Sequence, residues 1–368
     1  LDGWWLEVLD PGPPEFTVLD GGVTEGNQGT RFIDEFVRTG IGGLDYPRQM
    51  TWGPNDDVYV SSAQSDEVLR YDGETGEFMG VFVSAGSGGL DSPVGLLFDT
   101  DQNLYVASAI TGSVLRYQGP NAEFPGKFMG EFVAAGSGGL DTPNGLVFHH
   151  GDLYVTDFYV GAVRRYAGPS QPNAGEPLGD FVLAGSGDLG GARSPVFHPD
   201  DGNLYVASAL SGAILRYQGP DGADPGAFID AFISMGDIPT DMILDEEGRF
   251  YVGSGENGYL MPAHRVRRYQ GPEDESPGAY IDQYVSSGTW GMLSVHGMLL
   301  DTNGNLYVGS SLTDNVVRYG PSSQAVVYVM LSSASSVPVS VDYSLTDGSA
   351  TAGSDYTPVT GTVWFDPG

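Results

Sequence analysis

Four residues of this chain carry side chains that could bind a metal or move a proton, and they fall at the starts or ends of strands in a repeated unit. They are Asn144, in the phrase Pro143-Asn144-Gly145, Asp157, Asp241 and His296. An amide, two carboxylates and an imidazole brought together would suit an oxygen-held metal or acid–base work on a polar substrate. The matching positions of the other copies are Val94, Val196, Ser62, Ser108, Ser208 and Ser310. A ring made mostly of Ser and Val lacks the charge a catalytic metal needs. His149-His150 sits at a turn where other copies carry Asp and reads as solvated, and His198 and His264 read as loop residues. Cys is absent, which excludes disulfides and thiolate chemistry, and there is no Gly-x-Ser-x-Gly elbow. Asp99-Thr100-Asp101, Asp245-Glu246-Glu247-Gly248 and Asp301-Thr302-Asn303-Gly304 resemble calcium loops but lack the downstream bidentate Glu, so they read as turns. On these residues alone the expectation is a protein that is not an enzyme.

The elements that position these residues repeat. A Tyr-Val phrase occurs six times, centred on Tyr59, Tyr105, Tyr154, Tyr205, Tyr251 and Tyr307, at spacings of 46, 49, 51, 46 and 56 residues. An Arg-Tyr pair follows each copy, from Arg70-Tyr71 to Arg318-Tyr319. Each unit holds an apolar strand, a turn, the Tyr-Val strand, the Arg-Tyr strand and an aromatic strand such as 128–133. Four strands in roughly 45 residues is the period of a β-propeller blade. No aromatic strand follows the last Arg-Tyr, whereas Phe32-Ile33-Asp34-Glu35-Phe36-Val37 precedes the first unit. That N-terminal strand is expected to complete the sixth blade and leave no free sheet edge. The six Arg-Tyr arginines are expected to pair with acidic neighbours or stack on tyrosines. Trp52 and Trp290 are expected in core packing.

Composition narrows the partners. Across 368 residues, 48 Asp and Glu face 15 Lys and Arg, a net charge of −33 that repels nucleic acid and anionic membrane. No apolar run approaches the roughly 20 residues of a bilayer span. With no initiator Met and no signal-like segment, the chain reads as mature or trimmed, in a secreted or cell-surface setting.

Two family resemblances follow from these motifs. The Gly-Asn-Leu-Tyr-Val and Val-Leu-Arg-Tyr phrases resemble NHL-type propellers over residues 31–321. Among propellers, gluconolactonase-like ones use a Glu, Asn and Asp ring at the channel, for which Asn144, Asp157, Asp241 and His296 are the candidates here. Past Pro321, the phrase from Asp347-Gly348 through Ala350, Ala352-Gly353 and Asp355-Tyr356 resembles a Calx-beta domain. That family's opening Glu-Gly stands at Glu25-Gly26, far upstream. The expected fold is all-β: a six-bladed propeller closed by an N-terminal strand and inserted in, or attached to, an incomplete immunoglobulin-like sandwich. Residues 1–14 are an N-terminal strand and linker that could be donated to a neighbour. Residues 15–30 and 322–368 are the two parts of the truncated sandwich, and 31–321 are the propeller.

The Calx-beta resemblance implies calcium at Glu25 and Asp347, with the remaining ligands in a segment missing after Gly368. The expected function is that of an extracellular structural or adhesive protein. Its subunits would self-associate into filaments through strand complementation at a calcium-responsive sandwich. The alternatives are a propeller that binds a glycan or peptide within a larger surface protein, and a metal-dependent lactonase or lyase.

Overall fold

The computed structural model describes residues 5–8, 16–19, 29–255, 264–286, 292–322, 328–331, 337–346 and 360–365. The chain divides into two compact units. The larger, residues 32–281 with 287–319, is the propeller; the smaller collects 1–31, 282–286 and 320–368.

The propeller consists of six antiparallel four-stranded sheets. Blade one runs through Pro47–Trp52, Val58–Ser62, Glu67–Tyr71 and Phe78–Val83, and blades two to five repeat this order. Blade six takes Val295–Leu300, Leu306–Ser310 and Asn315–Ser322, and its outermost strand is Gly29–Val37. The ring therefore closes with the N-terminal strand, as the missing aromatic strand after Tyr319 requires.

The repeated residues build the interior. The second-strand tyrosines are buried between blades, and Tyr59, Tyr105, Tyr154 and Tyr205 each meet aromatics from their own and the next sheet: Tyr105 lies 4.9 Å from Phe132 and 5.2 Å from Phe148. At the closing seam the same arrangement is made by Tyr307 with Phe36 at 4.8 Å and Trp52 at 5.5 Å. The Trp52 indole N–H donates to the Leu300 carbonyl at 2.9 Å, so Trp52 is core, while Trp290 lies outside the described residues.

The Arg-Tyr strands supply the polar ties. Arg70 pairs with Asp57, Arg165 with Asp152, Arg216 with Asp230 and Arg318 with Asp34, while Arg116 lies over the Phe132 ring. The tyrosine hydroxyls reach the crossing loops: Tyr117 donates to the Ser87 carbonyl at 2.7 Å and Tyr166 to the Ser137 carbonyl at 2.8 Å. Burial pushes both phenols well above their usual range. The crossing loop needs glycine at Gly88, where φ is +65° and an added Cβ would stand 2.2 Å from the Phe128 ring.

The smaller unit contains two small sheets. Trp5–Val8 lies antiparallel to Val339–Thr346, which pairs with Thr360–Phe365, and Phe16–Leu19 pairs with Tyr328–Leu331. Strands from before and after the propeller thus pair with one another. Trp5–Val8, which the sequence offered to a neighbour's edge, pairs within its own chain. Residues 23–28, within the expected first part of the sandwich, lie outside the described residues, and 16–19 pairs with 328–331.

Candidate functional site

One irregularity recurs in all six innermost strands. The register against the second strand shifts between Pro47 and Met50, Pro93 and Leu96, Pro143 and Leu146, Arg193 and Pro195, Pro239 and Asp241, and Val295 and Met298. A bulge turns the bulged residues away from the ladder and re-aims their side chains. Residues of these bulges line a single narrow cleft where the blades converge. Gly297 shows how close the strands come there: at φ +65°, an added Cβ would sit 2.5 Å from the Arg48 carbonyl of blade one.

Asp241 is the hub of the cleft. It is 2% exposed, and its carboxylate accepts from the Ser194 hydroxyl of blade four and, at 2.7 Å, from the Met298 N–H of blade six. Burial pushes it above the ordinary carboxylate range, against the opposing pull of hydrogen bonds from Ser194, the Met242 and Met298 N–H groups and Gln49. One carboxylate thus ties four blades together with both oxygens engaged. Its role is to fix the geometry of the cleft, not to serve as a free base.

The reactive groups stand around this hub. His296 is 3% exposed, and the Arg48 Nη1 lies 3.0 Å from its Nδ1 and 3.2 Å from its Nε2. Standing nearly equidistant from the two ring nitrogens, the guanidinium lies against the imidazole ring and not along one nitrogen's lone pair. Arg48 also lies over the Tyr46 ring at 5.0 Å. Arg193, 5% exposed, lines the opposite blade-four wall with its guanidinium 5.1 Å above the Phe158 ring. Asn144 completes the polar lining from blade three. The Thr240 hydroxyl lines the same cleft, buried and without a hydrogen-bond partner.

The four residues singled out from the sequence separate here. Asn144, Asp241 and His296 meet in the cleft; Asp157 does not. Asp157 instead accepts from the Asp141 and Thr142 N–H groups at 3.1 Å and pairs with Arg164. His198 stands in the loop just after the strand Ala192–Phe197, as expected, but is buried there at 1% exposure and bonded to the Gly248 carbonyl at 2.8 Å. The Asp-rich phrases close turns, as Asp99 does by accepting from the Asn103 N–H at 2.8 Å. Glu25 and Asp347, expected to hold calcium, lie outside the described residues.

Of the expected ring of Ser and Val, Val94 does line the cleft, and the rest needs correction. Ser62, Ser108 and Ser310 bond to loop backbone of their own blades, and the blade-four residues at the cleft are Arg193 and Ser194, not Val196. The bulges displaced the alignment, and Arg48 and Arg193 were missed. Aligning the chain on the residue after each blade-opening Pro47, Pro93, Pro143 and Pro239 would have found Arg48 beside Asn144 and Thr240.

A divalent cation does not fit this donor set. Two guanidiniums line the cleft, and the oxygens of Asp241 are already engaged. Among the described residues no group of three or more His, Asp or Glu is placed to hold a metal.

Comparison with known proteins bears on both units. The Calx-beta domain family matches residues 317–368. No curated protein matches the sequence. A gluconolactonase from Xanthomonas campestris is 18% identical and aligns over 85% of this chain and 99% of its own, with a TM-score of 0.57. A putative oxidoreductase (glucose dehydrogenase) from Thermus thermophilus is also 18% identical, over 79% of this chain and 100% of its own, at 0.53. A catalytically inactive virginiamycin B lyase from Staphylococcus aureus, solved with quinupristin, is 11% identical over 86% and 99%, at 0.54. At these identities the likeness establishes the fold, a six-bladed propeller, and does not extend to the NHL type. It overturns the expectation of a structural or adhesive protein that is not an enzyme, because the solved propellers it matches are named as enzymes.

Proposed function

We propose that the propeller is an enzyme that opens a lactone or related carboxylic ester in the cleft, without a metal. The observation that supports this reading is that His296, Arg48 and Arg193 share one buried-walled cleft held by Asp241. In the reaction the neutral His296 takes a proton from water as the water oxygen bonds to the acyl carbon. The guanidiniums of Arg48 and Arg193 face the oxyanion that develops as the carbonyl π bond breaks. Collapse breaks the acyl C–O bond, and His296 returns the proton to the leaving alkoxide. The Asn144 amide orients the substrate from blade three.

The test is a panel of lactones and aryl esters, assayed after dialysis against a chelator. Turnover is expected, and His296→Gln is expected to lower kcat by roughly 10² to 10⁴, the usual contribution of a general base. No turnover above the buffer rate, or an undiminished rate in His296→Gln, overturns the reading. An extracellular setting is supported by the acidic composition and the Calx-beta match. No helix among the described residues is long and apolar enough to cross a membrane.

A further inference from the structure

The cleft closes on a space the size of one atom. Arg48, Arg193, Thr240, Asp241 and His296 enclose about 10 Å³ where the blades meet, room for about one water. Elsewhere in the propeller guanidiniums are matched to carboxylates, Arg70 to Asp57, Arg164 to Asp157, Arg216 to Asp230 and Arg249 to Asp245. Arg48 is not. It is half-buried, it lies against the His296 imidazole and over the Tyr46 ring, and among the described residues it pairs with no carboxylate. Carboxylates are not scarce, with 48 Asp and Glu against 15 Lys and Arg. A second observation comes from blade five. Thr240 is 5% exposed, and its hydroxyl is buried in the same cleft without a hydrogen-bond partner. A buried hydroxyl in that state is destabilising unless something in the space accepts from it.

We propose that this space binds one monatomic anion, a chloride or bromide, held by the guanidiniums of Arg48 and Arg193 and by the Thr240 hydroxyl. A neutral atom could accept from Thr240, but only an anion also answers the charge of Arg48. Asn144 lines the cleft from blade three with a further amide donor. The oxygens that could hold a cation are taken, because Asp241 accepts from the Ser194 hydroxyl and the Met298 N–H. Anions of several heavy atoms exceed the space. The chain's charge of −33 repels anions from the surface at large, so the ion is held locally and weakly. Besides the two guanidiniums, the titratable groups facing the ion are Asp241 from blade five and His296 from blade six. Burial already favours the protonated Asp241 carboxyl. A proton on either group removes negative or adds positive charge, so halide binding tightens toward acid pH. The site stands on the geometry of the cleft and goes beyond the enzymatic reading.

The test is the chlorine NMR line width in solutions of the full chain, with ionic strength held constant by acetate, and a bromide-soaked crystal read by anomalous scattering. Excess broadening is expected, with one bromide peak between Arg48 and Thr240. Bromide should displace chloride, and nitrate and phosphate should do so at least about tenfold more weakly, because the space takes one heavy atom. Arg48→Gln is expected to weaken chloride at least about tenfold, the loss of a charge-assisted contact. Thr240→Val is expected to weaken it about two- to tenfold, the loss of a neutral one. Without halide, Thr240→Val should unfold in urea no earlier than the parent, since it removes an unpaired hydroxyl, so this variant carries the test even if Arg48→Gln does not fold. The inference is overturned by a cleft that holds only water, by broadening that nitrate abolishes as readily as bromide or that persists unchanged in Thr240→Val, or by binding that weakens toward acid pH. No step reads turnover: a bound halide without ester cleavage would sink the enzymatic reading alone, and ester cleavage without a bound halide would sink this one alone.

Discussion

The seam of the ring can be tested by removing one aromatic side chain. Phe36 comes from the N-terminal strand, is 4% exposed and lies edge-on to Tyr307 at 4.8 Å. Its counterpart between blades three and four is Phe181, 7% exposed and 5.0 Å from Tyr154. A buried Phe→Ala change costs about 3–5 kcal/mol from lost transfer energy and the cavity left behind. If the seam is packed like any other blade junction, Phe36→Ala and Phe181→Ala should destabilise the propeller to within about 1 kcal/mol of each other. The exposed Met79, at 53%, provides the control, and Met79→Ala should stay within about 0.5 kcal/mol of the parent. Urea titrations followed by tryptophan fluorescence read all three. The reasoning is refuted if Phe181→Ala loses several kcal/mol while Phe36→Ala unfolds with the parent, because the N-terminal strand would then not be part of the closed ring.

Two further outcomes follow from the interior. Burial raises Asp241 above the usual carboxylate range, so the folded chain holds this proton to higher pH than the unfolded chain. Its stabilising contribution is therefore present at acid pH and lost as pH rises through the raised folded value. Urea midpoints measured between pH 4 and 8, a window set on the order of the ordinary carboxylate value and above, should show that falling contribution in the parent and not in Asp241→Asn. A parallel pH dependence in the two proteins would contradict it. In the crossing loop, Gly86 (φ +69°) and Gly88 (φ +65°) share the left-handed conformation, but only Gly88 would drive a Cβ into Phe128. Ala at either position costs about 1–2 kcal/mol of backbone strain, and Gly88→Ala should melt measurably below Gly86→Ala; equal melting points would show that Phe128 moves aside freely.

The architecture was legible because a propeller is written as a period. The Tyr-Val and Arg-Tyr phrases mark every blade, and each has a local reason that a single sequence displays: Tyr105 must be apolar-faced to meet Phe132 and Phe148, and Tyr117 must carry a hydroxyl to reach Ser87. The closing strand was legible for the same reason, as a phrase at 32–37 missing from the end of the repeat. The cleft was only partly legible. Asn144, Asp241 and His296 stood out as polar residues at strand starts, but Asp157, equally conspicuous, turned out to cap the Asp141–Thr142 turn.

What the sequence determined, then, is the ring: its number of blades, the order of its strands and the place where it closes, since each depends on side-chain pairs that repeat at fixed spacing. What only the tertiary structure decided is the chemistry of the centre. The bulge in every innermost strand shifts the register by residues that no period reveals. Those shifts bring Arg48 to His296 across 248 positions of sequence and Arg193 to the same cleft, replacing an expected neutral ring with a positively lined one.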